Sequence, residues 1–361
     1  MVYNWDLFIR YVNHLSMSDI ANRIKQARIR RGLSLRELAS RVDLSAQALS
    51  KYERDLMAPG SAVLLRLASA LDVNVEYFLR PVSIGEIRPA YRKTSLGIKQ
   101  LRSLEEEIRD WLERYLQAEA VAPVPSKEFD YPASFPRAIH DVYDSEEAAE
   151  VLRREWIVGV DPIENISQLL EDKGIRVGEI DAPDGFDACA FFADGSDKKP
   201  VIVGRRNGIP GDRQRFSYAH ELGHILLDID DTVNEELACH RFAGAFLVPR
   251  VSFLSDIGDR RNDLSISELF LLKQKWGVSM QVLIYRAKQL DVISDFRFRS
   301  LLRLFRKRGW RSREPDPQIP REHPGRFGLM VYQSLAEGII GLGRARELLG
   351  HPVLDLVGAN A

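Results

Sequence analysis

Two histidines and a glutamate stand close together in residues 213–227, RQRFSYAHELGHILL. Apolar Phe216, Ala219, Leu222 and Leu226 recur at helical spacing, which places His220 and His224 one turn apart on one face, both able to reach a single metal ion. Glu221 stands beside them as the general base that would take a proton from an attacking water. The chemistry implied is metal-assisted hydrolysis, which needs a third protein ligand and an open fourth position.

The sequence offers candidates for that third ligand. Residues 234–250, NEELACHRFAGAFLVPR, read as a second amphipathic helix with Glu236 and His240 one turn apart, so Glu236 could bind the ion while His240 orients it or stabilises an oxyanion. Tyr218 is a second oxyanion candidate, although burial in the core is the simpler role for it. Asp228, Asp230 and Asp231 rank below Glu236, because acids just after a helix are mostly solvated. Leu227 and Asp230 break the long pattern that carries a third histidine.

Taken together, HELGH within 213–227 and E-x-x-C-H-x-F-A-x-x-F-L-x-P at 236–249 resemble the ImmA/IrrE family of metallopeptidases. That family pairs a HELGH helix with an E-x-x-A-N-x-F-A-x-x-L-L-x-P helix whose glutamate is a ligand. The resemblance implies zinc, or manganese in its place, held by His220, His224 and Glu236, with Glu221 catalytic. It also implies a substrate class, helix-turn-helix repressors cut to release transcription. Here Cys239 replaces the usual alanine, His240 the usual asparagine, and Ala238 stands where a further glutamate is common. Glu236 is preferred, with Glu235 and His240 left open.

Something must house and direct this chemistry. The chain has 361 residues, room for two or three domains, and ordinary hydrophobic and charged fractions that point to neither disorder nor a fibre. A net charge of -1 hides local asymmetry: nine Lys/Arg against three Asp/Glu over 23–54, and eight against none over 297–313. Two cysteines, Cys189 and Cys239, cannot make a disulfide framework and read as small packing residues. No apolar run is long enough for a membrane span and residues 1–17 lack a signal-peptide pattern, so a cytoplasmic protein is expected.

Residues 18–81 read as five short helices. Ser34 caps LSLRELASRV, Asp43-Leu44 makes the break, and Ser45 caps AQALSKYER, with Ala48, Leu49 and Tyr52 inward and Gln47, Ser50, Lys51 and Arg54 outward. Two helices joined by a tight turn, the second with a small polar and basic face, suit a major-groove reader. IRRG at 29–32, LSLRELA at 33–39, SAQALSKYE at 45–53, Ala58-Pro59 and LLRLASALDVNVEYFL at 64–79 resemble the Cro/repressor-type (XRE) helix-turn-helix family. Asp43 and Asp55 stand where that family usually has glycine, and Asp tolerates the left-handed backbone. The resemblance makes Gln47 and Ser50 base readers and Lys51 and Arg54 base or phosphate contacts, with Ser45 a further DNA-binding residue and a DNA operator as partner. The bland alternative is a dimerisation or docking module with a solvated basic face.

The expected fold class is multidomain: an all-α helix-turn-helix domain (18–81), an α+β zincin-like metallopeptidase domain (144–260) and a helical C-terminal region. Residues 1–17 read as an extension, 82–143 as a helical connector and Pro-rich linker, 261–314 as a basic helical extension and 315–361 as a linker and helical cap. The helix in LGIKQLRSLEEEIRDWLERYLQAEA could form a homodimer seam or cover the next domain. Strands are expected in GIRVGEID, FDACAFFAD and PVIVGRR. The aromatic and basic run FRFRSLLRLFRKRGWRSREP could grip nucleic acid or an acidic partner, or be a solvated helix face. Two functions follow: a DNA-binding zinc protease acting on a repressor or toxin in a stress, phage or toxin-antitoxin response, or a transcriptional repressor or antitoxin-like regulator whose metallopeptidase-like domain senses a signal or binds a partner without turnover.

Overall fold

The computed structural model describes residues 17–80, 84, 96–193, 199–311, 313–350 and 353; most of the expected extension at 1–17 lies outside them. The chain forms two compact units, one of residues 1–88, 93–125 and 327–361, the other of 89–92 and 126–326.

The first unit begins with α1 (Met17–Arg30), α2 (Leu35–Arg41), α3 (Ala46–Glu53), α4 (Ser61–Leu71) and a 3-10 turn over Val75–Leu79. Leu38, Leu49, Leu67, Leu71 and Phe78 fill its core. Ser34 and Glu37 close a capping box on α2, and the Ser45 hydroxyl accepts from the Ala48 N–H at 3.0 Å. Asp43 and Asp55 both take positive φ, 52° and 57°, as a residue in a glycine position must.

The stretch expected to be a connector contains a packed helix. Helix α5 (Ile98–Val121) packs along α1, and the stripe that suggested a dimer seam is buried within the unit. Its polar residues are buried too: Arg23 bonds Glu113 at 2.6 Å, while Asp110 meets Arg30 at 2.8 Å and Arg114 at 3.1 Å. Periodicity reports apolar positions only, so this ionic seam left no signal in the pattern.

The second unit is α+β. Strands β2 (Arg176–Ile180), β3 (Ala188–Phe192) and β4 (Pro200–Arg205) make a sheet in the order β2-β4-β3, β2 parallel and β3 antiparallel to β4. Two three-residue strands escaped the sequence, β1 (Arg137–Ile139) and β5 (Leu227–Ile229), which pair in parallel. Runs that short show no alternation. Around the sheets lie α6 (Asp144–Glu155), α7 (Ile166–Asp172), α8 (Gly211–Leu226), α9 (Glu235–Leu247), α10 (Arg250–Ile257), α11 (Ile266–Trp276), α12 (Met280–Gln289) and α13 (Asp295–Lys307). Helix α6 has no side-chain cap; Asp144, its first residue, accepts from the His140 and Asp141 N–H groups of the segment before it.

The proline-rich stretch after α13, expected to be a linker, is a strap clamped across the start of α8. Gly211 N–H donates to the Ile319 carbonyl at 3.0 Å, and a Cβ on Gly211 would collide with Pro320. Gln214 and Glu322 exchange two hydrogen bonds of 2.8 and 2.9 Å, and the buried Glu322 carboxylate also accepts from Arg215 and from the Ser167 N–H. Prolines gave the strap an extended backbone; the polar side chains between them anchor it. Helices α14 (Arg326–Ala336) and α15 (Leu342–Leu349) complete the first unit.

Candidate metal centre and recognition helix

Helix α8 lies on β3 and β4 and alongside α9. Gly223 permits that approach: a Cβ there would sit 3.2–3.3 Å from Cys239 and Phe242 of α9. The close crossing brings one donor atom each from His220, His224 and Glu236 within 4.8 Å of one another.

The spacing fits a small divalent ion. The two histidine Nε2 atoms are 3.2 Å apart, and Glu236 oxygens lie 3.5 Å from His220 and 3.8 Å from His224. Two nitrogens at 2.0–2.1 Å from a tetrahedral ion would stand about 3.3 Å apart. The Glu235 carboxylate lies 3.0 Å from His224 Nδ1, where it orients the ring with Nε2 toward His220. Among the described residues, no partner bonds the buried Nδ1 of His220.

Glu221 is half-buried beside β3, where the Ala190 N–H donates to it. Burial pushes its carboxyl up to about 7, with His220 opposing and Glu236 reinforcing the shift. Hydrogen bonding from His220, followed by the charges of the histidines, holds Glu236 at about 2. One carboxylate is thus poised near neutrality and the other stays ionised, the division that a base and a ligand require.

In the first unit, Gln47, Lys51 and Arg54 are exposed on α3 or at its end, Ser50 is half-buried, and Ser45 is engaged as the cap. Glu53, on the inner side, accepts from Arg28 through both oxygens at 2.6 and 2.7 Å, so it is structural.

Residues 24–78 match the family model described as helix-turn-helix, and residues 170–288 the one described as IrrE N-terminal-like domain. The chain joins a helix-turn-helix domain to an IrrE N-terminal-like domain. The HTH-type transcriptional regulator ImmR of Bacillus subtilis is 28% identical over 91 residues, 25% of this chain and 68% of ImmR. Uncharacterized HTH-type transcriptional regulators of Rickettsia conorii and Rickettsia prowazekii are each 38% identical over 61 residues, 17% of this chain. The chain spans about half the length of those two rickettsial relatives, 49% and 47%.

Between the IrrE N-terminal-like domain and the segment that follows it in the second unit, a cleft of about 840 Å³ opens beside the cluster, lined by Glu236, His240, Phe216, Leu237, Val282 and Tyr285 among others. His240 is exposed there, its ring 4.4 Å from that of His220, and its Nδ1 donates to the Glu236 carbonyl at 2.5 Å. That bond leaves Nε2 as an acceptor, so His240 could stabilise an oxyanion only when protonated. Tyr218 has no place at the cleft. It turns to the sheet and is fully buried, its ring against Gly204, where a Cβ would come within 2.5 Å of it. A helix residue two positions from His220 points away from it, which rules out the oxyanion role. Arg286 reaches the cleft from α12 but is bound through both terminal nitrogens to Glu146 at 2.7 and 2.8 Å.

Cys239 is buried with its sulfur 3.7 Å from His224 Nδ1, so it packs behind the cluster. Among the described residues, no helix is long and apolar enough to cross a membrane.

Proposed function

We propose that the chain is a DNA-binding regulatory metalloprotease that hydrolyses a peptide bond in a protein partner. The observation carrying this reading is the convergence of His220, His224 and Glu236 at an open cleft with Glu221 beside them, in a chain that also holds a helix-turn-helix. Zinc is the proposed ion, because two imidazoles, one carboxylate and an open position suit it, and manganese is the alternative.

When bound, the ion would polarise the scissile carbonyl and make water easier to deprotonate. Glu221 takes the proton from the attacking water and passes it to the departing amine, so its carboxyl ends as it began. Protonated His240 would support the carbonyl oxygen from the cleft side. Strand β3 has a strand neighbour on one side only among the described residues and could pair with an extended peptide. Gln47, Ser50, Lys51 and Arg54 would contact an operator. The proposed substrate is a helix-turn-helix repressor or a toxin in a stress, phage or toxin-antitoxin response, and the proposed assembly a homodimer.

The relatives are named HTH-type transcriptional regulators, which favours a second reading in which this chain too is a transcriptional regulator; its cluster would then sense a signal or bind a partner without turnover. Metal analysis of the wild type beside His224→Ala, with cleavage of a co-expressed repressor, separates the two. The protease requires about one ion per chain, lost in His224→Ala, and cleavage that stops in Glu221→Gln. A metal-bound wild type that binds an operator and cuts nothing leaves the regulator; a metal-free wild type of equal stability removes the enzyme.

A further inference from the structure

Helix α13 presents a cationic face that holds no residue of the metal cluster or the recognition helix; of the basic run, Trp310 and Arg311 in the turn after it reach the cleft beside the cluster. It packs on its unit through Leu301 and Phe305, with Phe298 and Leu302 beside them. Arg299, Arg303, Arg306 and Lys307 stand exposed on the helix, and Arg308 and Arg311 in the turn after it. Two other cations of the run are neutralised, Arg297 by Asp263 and Arg313 by Asp316. Among the described residues, no carboxylate comes within ion-pair distance of the other six.

The chain's buried arginines, by contrast, serve as struts: Arg23 on Glu113, Arg28 on Glu53, Arg215 on Glu322, Arg286 on Glu146. A solvated face needs charge but not one sign of it. Like charges four apart, as at 299 and 303 or 303 and 307, repel and weaken a helix by a few tenths of a kcal/mol each. A polyanion would remove that repulsion.

We propose that this face grips a nucleic-acid backbone, as a second contact separate from the recognition helix. Arg299, Arg303 and Arg306 follow one another over about 10 Å of helix, a length along which duplex DNA carries about six charges. Five of the six free cations are arginine, whose planar fork matches phosphate oxygens two at a time. Phe296, 75% exposed one turn before Arg299, adds a surface on which a base or sugar can rest, and half-buried Trp310 carries the Arg308 guanidinium 4.7 Å from its ring centroid. A protein partner would need a buried apolar anchor, and this face has one exposed ring amid charge. The proposal does not rest on the protease reading.

The test uses the full chain and fluorescence anisotropy with operator-free duplex and single-stranded DNA of about 30 nucleotides, between about 50 and 200 mM salt. Arg299→Ala/Arg303→Ala/Arg306→Ala should weaken binding at least about tenfold at the higher salt and reduce the log–log salt slope by about 2.7, three phosphates' worth. The corresponding triple lysine variant should retain most of the slope, and Lys51→Ala/Arg54→Ala should leave the α13 share intact. The two DNA forms distinguish a duplex from a single-strand contact. Unchanged affinity and slope in a triple alanine variant of wild-type melting temperature would overturn the proposal. So would loss of polyglutamate binding in that variant with DNA binding kept.

Discussion

The recognition pair α2/α3 and the metal pair α8/α9 are each two neighbouring helices, but they place their working side chains differently. Gln47, Lys51 and Arg54 are exposed, and local devices set their positions: the Ser34 and Ser45 caps and the left-handed Asp43 and Asp55 at the helix ends. His220, His224, Glu221 and Glu236 are half-buried. Their alignment depends on distant residues, including Ala190 on β3, Glu235 behind His224, and the strap and Lys273 at the start of α8. A surface that reads another molecule can be built from short-range rules. A site that must hold several atoms to a fraction of an ångström needs a supporting shell.

The largest effect that would sharpen this contrast is Glu221→Gln, expected to lower turnover by about 10²–10⁴-fold with metal content and operator binding unchanged. A fall in metal content alongside activity would break the separation of base from ligands. Next comes Lys273→Met. Lys273 is fully buried between Asp212 at 2.7 Å and Glu314 at 3.0 Å, so its loss strands two buried carboxylates. Urea unfolding should show a loss of about 3–5 kcal/mol, largely recovered when Asp212→Asn and Glu314→Gln are added. Glu235→Ala should weaken metal affinity by about 10–100-fold, measured by competition with a chelator, while the chain stays folded. Smallest is Ser45→Ala, which removes only a cap and should cost about 1 kcal/mol in thermal unfolding; a much larger loss would show that the recognition pair is not locally encoded.

Legibility followed the same division. The helix-turn-helix caps, the two left-handed aspartates, the three longer strands and the pairing of His220 with His224 were all readable, because each rests on residue type at short spacing. The burial of α5 through Arg23, Asp110 and Glu113 was not, since charged residues on a helix read as solvent-facing until their partners are known. Nor was the strap, whose prolines resemble a linker until Gly211, Gln214 and Arg215 are seen to hold it.

By itself the sequence determined the chemistry on offer: two imidazoles one turn apart, a glutamate between them, a second helix carrying carboxylates, and a capped polar helix in a basic domain. Tertiary structure alone decided which groups meet. The crossing of α8 and α9 at Gly223 sets Glu236 among the donors and Glu235 behind His224, and it leaves Tyr218 facing the sheet. The physical reason is that helical periodicity fixes the face a residue occupies, whereas the partner that face meets is selected by packing between segments far apart in the chain.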